Sequence, residues 1–148
     1  MNRIIITTAI IALLASCGKK NKKQYSYWKV NGVEYSSNNV TAIEGYMRPI
    51  SHISCQDKIR FSISFNRGDL PHNGNFPIQF GNASQNPNWV GVGFCFDTTC
   101  FIIAESFKTF LKASEQNGKA QYSLEPTWFI NYNNSNDSIL IEGIFNEP

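Results

Sequence analysis

The sequence predicts an all-β fold, an antiparallel β-sandwich or a partly closed barrel, on three observations. Short apolar stretches recur at regular spacing, turn residues (Asn, Gly, Ser, Pro) separate them, and the cleanest stretch alternates strictly. That stretch is Lys58–Phe65, where Ile59, Phe61, Ile63 and Phe65 alternate with Lys58, Arg60, Ser62 and Ser64. Such alternation buries one face of a strand and wets the other. The chain of 148 residues is 14% aromatic and 16% charged, a balance suited to a packed domain rather than to disorder.

The first element is a hairpin. Asn31-Gly32 stands between alternating apolar residues, and a type I′ turn needs positive φ at both central positions. Trp28 and Val30 on one arm then meet Val33 and Tyr35 on the other. Ser36–Asn39 is a turn cluster, Val40–Tyr46 a strand, and Arg48-Pro49 closes it. After Lys58–Phe65, the glycines and asparagines of Asn66–Asn75 predict a loop. Phe76–Phe80 is a short strand that Pro77 assigns to an edge or a start, and Gly81–Asn88 is a loop.

Trp89–Glu105 reads as the central hairpin, turning at Asp97-Thr98. It sets Cys95 opposite Cys100, Phe94 opposite Phe101 and Val92 opposite Ile103. Both faces are largely apolar, so the hairpin is expected to be covered on both sides. Ser106–Gly118 is ambiguous: Phe107, Phe110 and Leu111 have helical spacing, with Ser106 to cap the start and Asn117-Gly118 to end it. A short helix near residues 106–117 is the expectation, a strand the close alternative. Tyr122–Leu124, Thr127–Tyr132 and Ser138–Phe145 complete the strands, with Asn133–Asp137 turning the last pair.

The N-terminus carries an address. Arg3 gives a short positive region, and Ile4–Leu14 is apolar but too short to span a bilayer. Leu14-Ala15-Ser16-Cys17-Gly18 then resembles the lipobox of bacterial lipoprotein signal peptides. By that resemblance residues 1–16 are a signal peptide and Cys17 is lipidated. Residues 17–23 form a lysine-rich tether (Lys19, Lys20, Lys22, Lys23), and residues 24–148 form one domain. The formal charge of +2 comes from this tether, because acids outnumber bases from Gln24 onward. Lysines there suit anionic headgroups. The folded part has no basic patch interleaved with aromatics, so nucleic acid is not predicted as a partner.

With Cys17 lipidated, Cys55, Cys95 and Cys100 remain in an oxidising compartment. A disulfide between Cys95 and Cys100 is predicted from the hairpin register, leaving Cys55 free.

Trp28-x-Val30-Asn31-Gly32-x-x-Tyr35-Ser36 and Ile141-x-Gly143-x-Phe145, behind a lipobox, resemble the small one-domain lipoproteins of Bacteroidota. Those open with a strand, an Asn-Gly turn and a second strand, and close on a strand with Gly-x-Phe. The resemblance covers both ends of the chain and implies no functional residue. Surface-displayed members of that family often carry acids just after the lipidated cysteine, whereas lysines follow Cys17, so the resemblance implies the periplasmic face of the outer membrane rather than surface display.

No catalytic residue, metal site or cofactor is predicted. His52 and Cys55, three apart, fall on opposite faces of a strand. Asp69, His72 and nearby serines invite a hydrolase reading, but no nucleophile elbow accompanies them. Asn131–Asp137 lacks the acid pattern of a calcium loop. Aromatic side chains are the one feature with a binding reading, because planar rings in sandwich loops stack on sugars. Trp28 and Trp128 are expected to point inward, and Trp89, after Asn86-Pro87-Asn88, is the loop-exposed candidate for a ligand. The sequence thus predicts a lipid-anchored, non-enzymatic binding or structural module, with a glycan or an envelope protein as partner. A small hydrolase with an unadvertised site is the competing reading.

Overall fold

The computed structural model describes residues 25–45, 50–80, 86–106 and 108–148. The signal peptide, Cys17, the tether, Arg48-Pro49 and Phe107 lie outside them. Every regular element described is a strand: β1 (Ser26–Val30), β2 (Val33–Ser37), β3 (Val40–Ile43), β4 (Ser51–Cys55), β5 (Ile59–Phe65), β6 (Gly74–Gln79), β7 (Val90–Phe96), β8 (Thr99–Ile103), β9 (Phe110–Gln116), β10 (Lys119–Asn131) and β11 (Asn134–Asn146). They form one mixed sheet in the order β2-β1-β11-β10-β9-β6-β7-β5-β4-β3, with β8 bridging β7 and β10. The expected all-β, sandwich-like fold is the one observed.

The sheet folds back on itself so that β1, β10 and β11 face β5 and β7. Rings carry that contact: Phe61 of β5 lies 4.8 Å from Phe145 of β11 and 5.3 Å from Trp28 of β1. Phe94 of β7 meets Phe129 of β10 edge-on at 5.2 Å. These centroid distances fall within the favourable range for offset and edge-to-face pairs. Pairing through β7, β6, β9, β10 and β8 closes a circuit, which leaves β2 and β3 as the sheet's edges.

The first hairpin forms as expected: Asn31 and Gly32 have φ of 49° and 82°, and Trp28 pairs with Tyr35, Val30 with Val33. Its turn is also fastened to β11. The Asn31 N–H donates to the Leu140 carbonyl at 2.9 Å, and the Leu140 N–H donates to Asn31 Oδ1 at 2.8 Å. The first and last of the described strands thereby become neighbours.

Several expectations need correction. No helix forms near residues 106–117; Phe110–Gln116 is strand β9, paired with β6 and β10. Leu111 and Ala113 point into the core and Phe110 and Lys112 outward, a period of two that overrides the helical spacing. Asn117-Gly118 does not cap a helix but turns the β9–β10 hairpin, with φ of 56° and 77°. Pro77 is at neither an edge nor a start. It stands where β6 exchanges its antiparallel partner β9 for a parallel pairing with β7, a position that spares the missing N–H. Tyr122–Leu124 and Thr127–Asn131 belong to one long strand, β10, interrupted by a bulge, and Tyr132 lies just beyond it. The last turn is at Tyr132-Asn133, earlier than expected, and β4 has no counterpart among the predicted strands.

In the central hairpin Cys95 opposes Cys100 and Phe94 opposes Phe101. Phe94 and Phe101 are buried, whereas the cysteine face is half-exposed, so only one side is fully covered. Cys95 and Cys100 are disulfide-bonded with Cα atoms 4.1 Å apart, and Cys55 is a buried free thiol. So short a loop constrains the unfolded chain little. Reduction should therefore cost less than the ~3 kcal/mol of a fifteen-residue loop. Non-reducing peptide mapping should recover Cys95 joined to Cys100; a Cys55 peptide in the linkage would refute the pairing.

Candidate functional site

Hydrogen bonding separates the residues of the hydrolase reading. The Asp69 carboxylate accepts from Arg67 Nη2 at 2.9 Å and Nε at 3.2 Å, bonds that hold its pKa below the usual carboxylate range. Ser51 donates to the Asp69 backbone carbonyl at 2.8 Å, not to a histidine. His72 faces two carboxylates instead, with Nδ1 at 3.1 Å from Glu115 and Nε2 at 3.9 Å from Glu147. A base whose ring nitrogens both meet acids has no nitrogen aimed at a nucleophile.

Cys55 is buried beside Ser37 and Asp57, and burial pushes its thiol pKa up. Asp57 accepts from the Ser37 hydroxyl and, at 2.9 Å, from Asn39 Nδ2. These bonds lower its pKa and tie the β2–β3 corner to the β4–β5 turn. His52, on the same strand as Cys55, is half-buried on the other face. Among the described residues no three His, Cys, Asp or Glu side chains are grouped to hold a metal. The Asn131–Asp137 segment satisfies itself: Asn131 Nδ2 donates to Asp137 at 3.0 Å, and the Asn133 N–H donates to Asn131 Oδ1 at 2.9 Å.

The aromatic expectation changes in its particulars. Trp28 is buried, as expected. Trp89 is half-buried just before β7, and its backbone N–H donates to the Asn86 carbonyl at 3.1 Å. Trp128 points outward, because Thr127 and Phe129 take the inward positions of that segment. Exposed rings therefore stand on the sheet's outer surface, at Tyr27, Trp128 and Tyr132, and at Phe80 stacked on Tyr132.

A cleft of about 610 Å³ opens on that surface across β2, β1, β11 and β10. Antiparallel partners share a face. Pairing of Tyr27 with Ile144 and of Lys29 with Glu142 and Glu34 therefore sets these side chains together on the outside. Lys29 Nζ lies 3.5 Å from Glu142 and 3.7 Å from Glu34, a partly exposed triad contributing little to stability. Leu124 pairs with Gly143 and Thr127 with Ile141, so Glu125 and Pro126 together oppose Glu142. That bulge adds the Glu125 carboxylate to the cleft.

One side of the cleft rests on Gly143. A Cβ there would lie 2.6 Å from Trp28 Cβ and 2.8 Å from the Tyr27 carbonyl, so only glycine permits β1 and β11 to approach this closely. Trp28 runs beneath the cleft, and its buried Nε1 has no hydrogen-bond partner among the described residues.

Sequence reasoning named none of Lys29, Glu34, Glu125 and Glu142, and met Tyr27 only as one of the abundant aromatic side chains that could stack on sugars. The inward assignment of Trp28 and Val30 already implied that Tyr27 and Lys29 face outward. Pro126 within a strand signalled a bulge. The pairing that adds Glu142 joins β1 to β11, far apart in the sequence, and leaves no local signal. The fold and site together define an all-β domain with a mixed aromatic and ion-paired cleft on its outer sheet face. Comparison with protein-family models, curated proteins and solved structures finds no match to this chain.

Proposed function

We propose that this chain is a lipid-anchored protein of the outer membrane, facing the periplasm, whose β-domain is a non-enzymatic binding module. The observation that supports the reading is the cleft. It offers an exposed ring, a lysine engaged by two glutamates and a further carboxylate, a composition that orients a ligand rather than attacks one. Tyr27 is near the start of β1, directly after the tether. Ten residue steps separate Cys17 from Tyr27 in the sequence, so a lipid on Cys17 would keep the Tyr27 end of the cleft within about 35 Å of the bilayer. The membrane is then one partner, and a glycan or an envelope protein the other.

The anchor is tested by labelling. Palmitate should enter the wild-type protein and not Cys17→Ser, which should leave the membrane fraction; an unlabelled wild-type protein rejects the anchor. The cleft is tested by thermal shift against saccharides, peptides and small metabolites. A compound that stabilises the wild-type protein but not Ser123→Trp, which fills the cleft, supports the reading. Equal responses of the two proteins to every compound reject it.

A further inference from the structure

We infer that the cleft is one end of a longer track on the outer face of β10 and β11, and that its ligand is an extended neutral oligosaccharide; this rests on the reading of the cleft as a binding site. The outward positions of β11 run Ile144, Glu142, Leu140, Ser138. Opposite them on β10 stand Ser123, the Glu125-Pro126 bulge, Trp128 and Ile130. Six residue steps along a strand span roughly 20 Å.

Exposed aromatic rings mark both ends and the middle of this path. Tyr27, 52% exposed, stands beside Ile144, and Trp128, 54% exposed, stands opposite Leu140. Tyr132, 65% exposed, continues the row past Ile130, with its ring stacked on Phe80 at 6.4 Å and 22°. Trp128 is aimed outward because the bulge shifts the alternation by one residue. Without that extra residue the positions in step with inward Leu124 would include 126 and 128. The bulge thus places a carboxylate and an indole on the same face.

Three features select the ligand. Rings on this path present flat apolar faces, and carboxylates beside them accept hydrogen bonds, a combination that matches the two kinds of surface on a pyranose chain. The cleft holds Lys29 against Glu34, Glu125 and Glu142, so a polyanion is repelled. An extended peptide binds best by adding a strand to a sheet edge. Both strands of the track are interior, β11 between β1 and β10, and β10 between β11 and its partners β8 and β9, so their ladders are already occupied.

The test is calorimetric titration of the full-length protein in detergent micelles. The probes are the disaccharide and hexasaccharide of the cello, malto and xylo series. In at least one series the hexasaccharide should bind roughly tenfold tighter than the disaccharide, through rings the shorter probe does not reach. Trp128→Ala and Tyr132→Ala should each weaken hexasaccharide binding by about two- to tenfold and leave disaccharide binding unchanged. Tyr27→Ala should weaken both. Equal affinity for the two lengths, or full hexasaccharide affinity in Trp128→Ala and Tyr132→Ala, overturns the track and leaves the cleft standing. Failure of every neutral series, with an acidic polysaccharide or a peptide bound through Tyr27, overturns the ligand class alone. Binding that neither Tyr27→Ala nor Ser123→Trp alters overturns the track together with the cleft on which it rests.

Discussion

Phe145→Ala should lose about 3–5 kcal/mol of stability, the cost of deleting a fully buried ring from a core that only partly collapses around the hole. Phe145 is 0% exposed and lies 4.8 Å from Phe61, 5.9 Å from Phe94 and 6.3 Å from Trp28. It is the side chain through which β11 meets β5, β7 and β1. A domain of ordinary stability holds about 5–15 kcal/mol in all, so this one change would remove a large share. Urea denaturation should show the midpoint falling with the m-value unchanged. Trp128→Ala, an equally drastic truncation on the outer face, should stay within about 0.5 kcal/mol of wild type. If the two variants lost similar stability, the division of aromatics into core and outer face would be wrong.

That division is where the sequence was least legible. Strands with a clean period of two, such as Lys58–Phe65, could be read almost residue by residue, because alternation fixes both the element and its buried face. Asn31-Gly32 was legible for a different reason: positive φ at two successive positions has few structural uses, and a tight hairpin is the commonest. The same dipeptide at Asn117-Gly118 was read as a helix end. Asn and Gly also suit a left-handed helix terminus, and Phe107, Phe110 and Leu111 happened to supply the matching spacing. Strand pairing on both sides of β9 decided the matter, and no local pattern records it.

The candidate site was harder still. Counting aromatic residues indicated that rings were abundant, but not which of them faced solvent. Trp128 owes its exposure to Phe129, whose ring fills the core against Phe94, and to the bulge at Glu125-Pro126. The cleft exists because β1 pairs with β11, residues more than a hundred positions apart. Contacts at that separation follow from which faces must be buried together, and a reading along the chain meets them only as two unrelated ends.

Gly143→Ala should destabilise the protein, against the usual direction for a glycine inside a strand. Alanine ordinarily gains about 0.5–1 kcal/mol there by reducing the entropy lost on folding. Here the new Cβ would stand 2.6 Å from Trp28 Cβ, 2.8 Å from the Tyr27 carbonyl and 2.9 Å from Trp28 Cα. None of those atoms is the end of a flexible side chain, so relief requires β1 and β11 to move apart. Their separation is fixed on one side by the Asn31–Leu140 hydrogen bonds and on the other by Trp28 packed on Phe145 and Phe61. Overpacking of this kind costs about 1–3 kcal/mol, which outweighs the entropic gain. The net loss should lower the melting temperature by several degrees, at roughly 4 °C per kcal/mol for a domain of this size. Gly93→Ala is the control. Its Cβ would meet Ser62 Oγ at 3.5 Å, an ordinary contact, so that variant should match wild type or exceed it slightly. Melting curves of the two variants side by side decide the point: a Gly143→Ala protein as stable as Gly93→Ala would mean that β1 and β11 are not held this close, and the cleft above them would lose its floor.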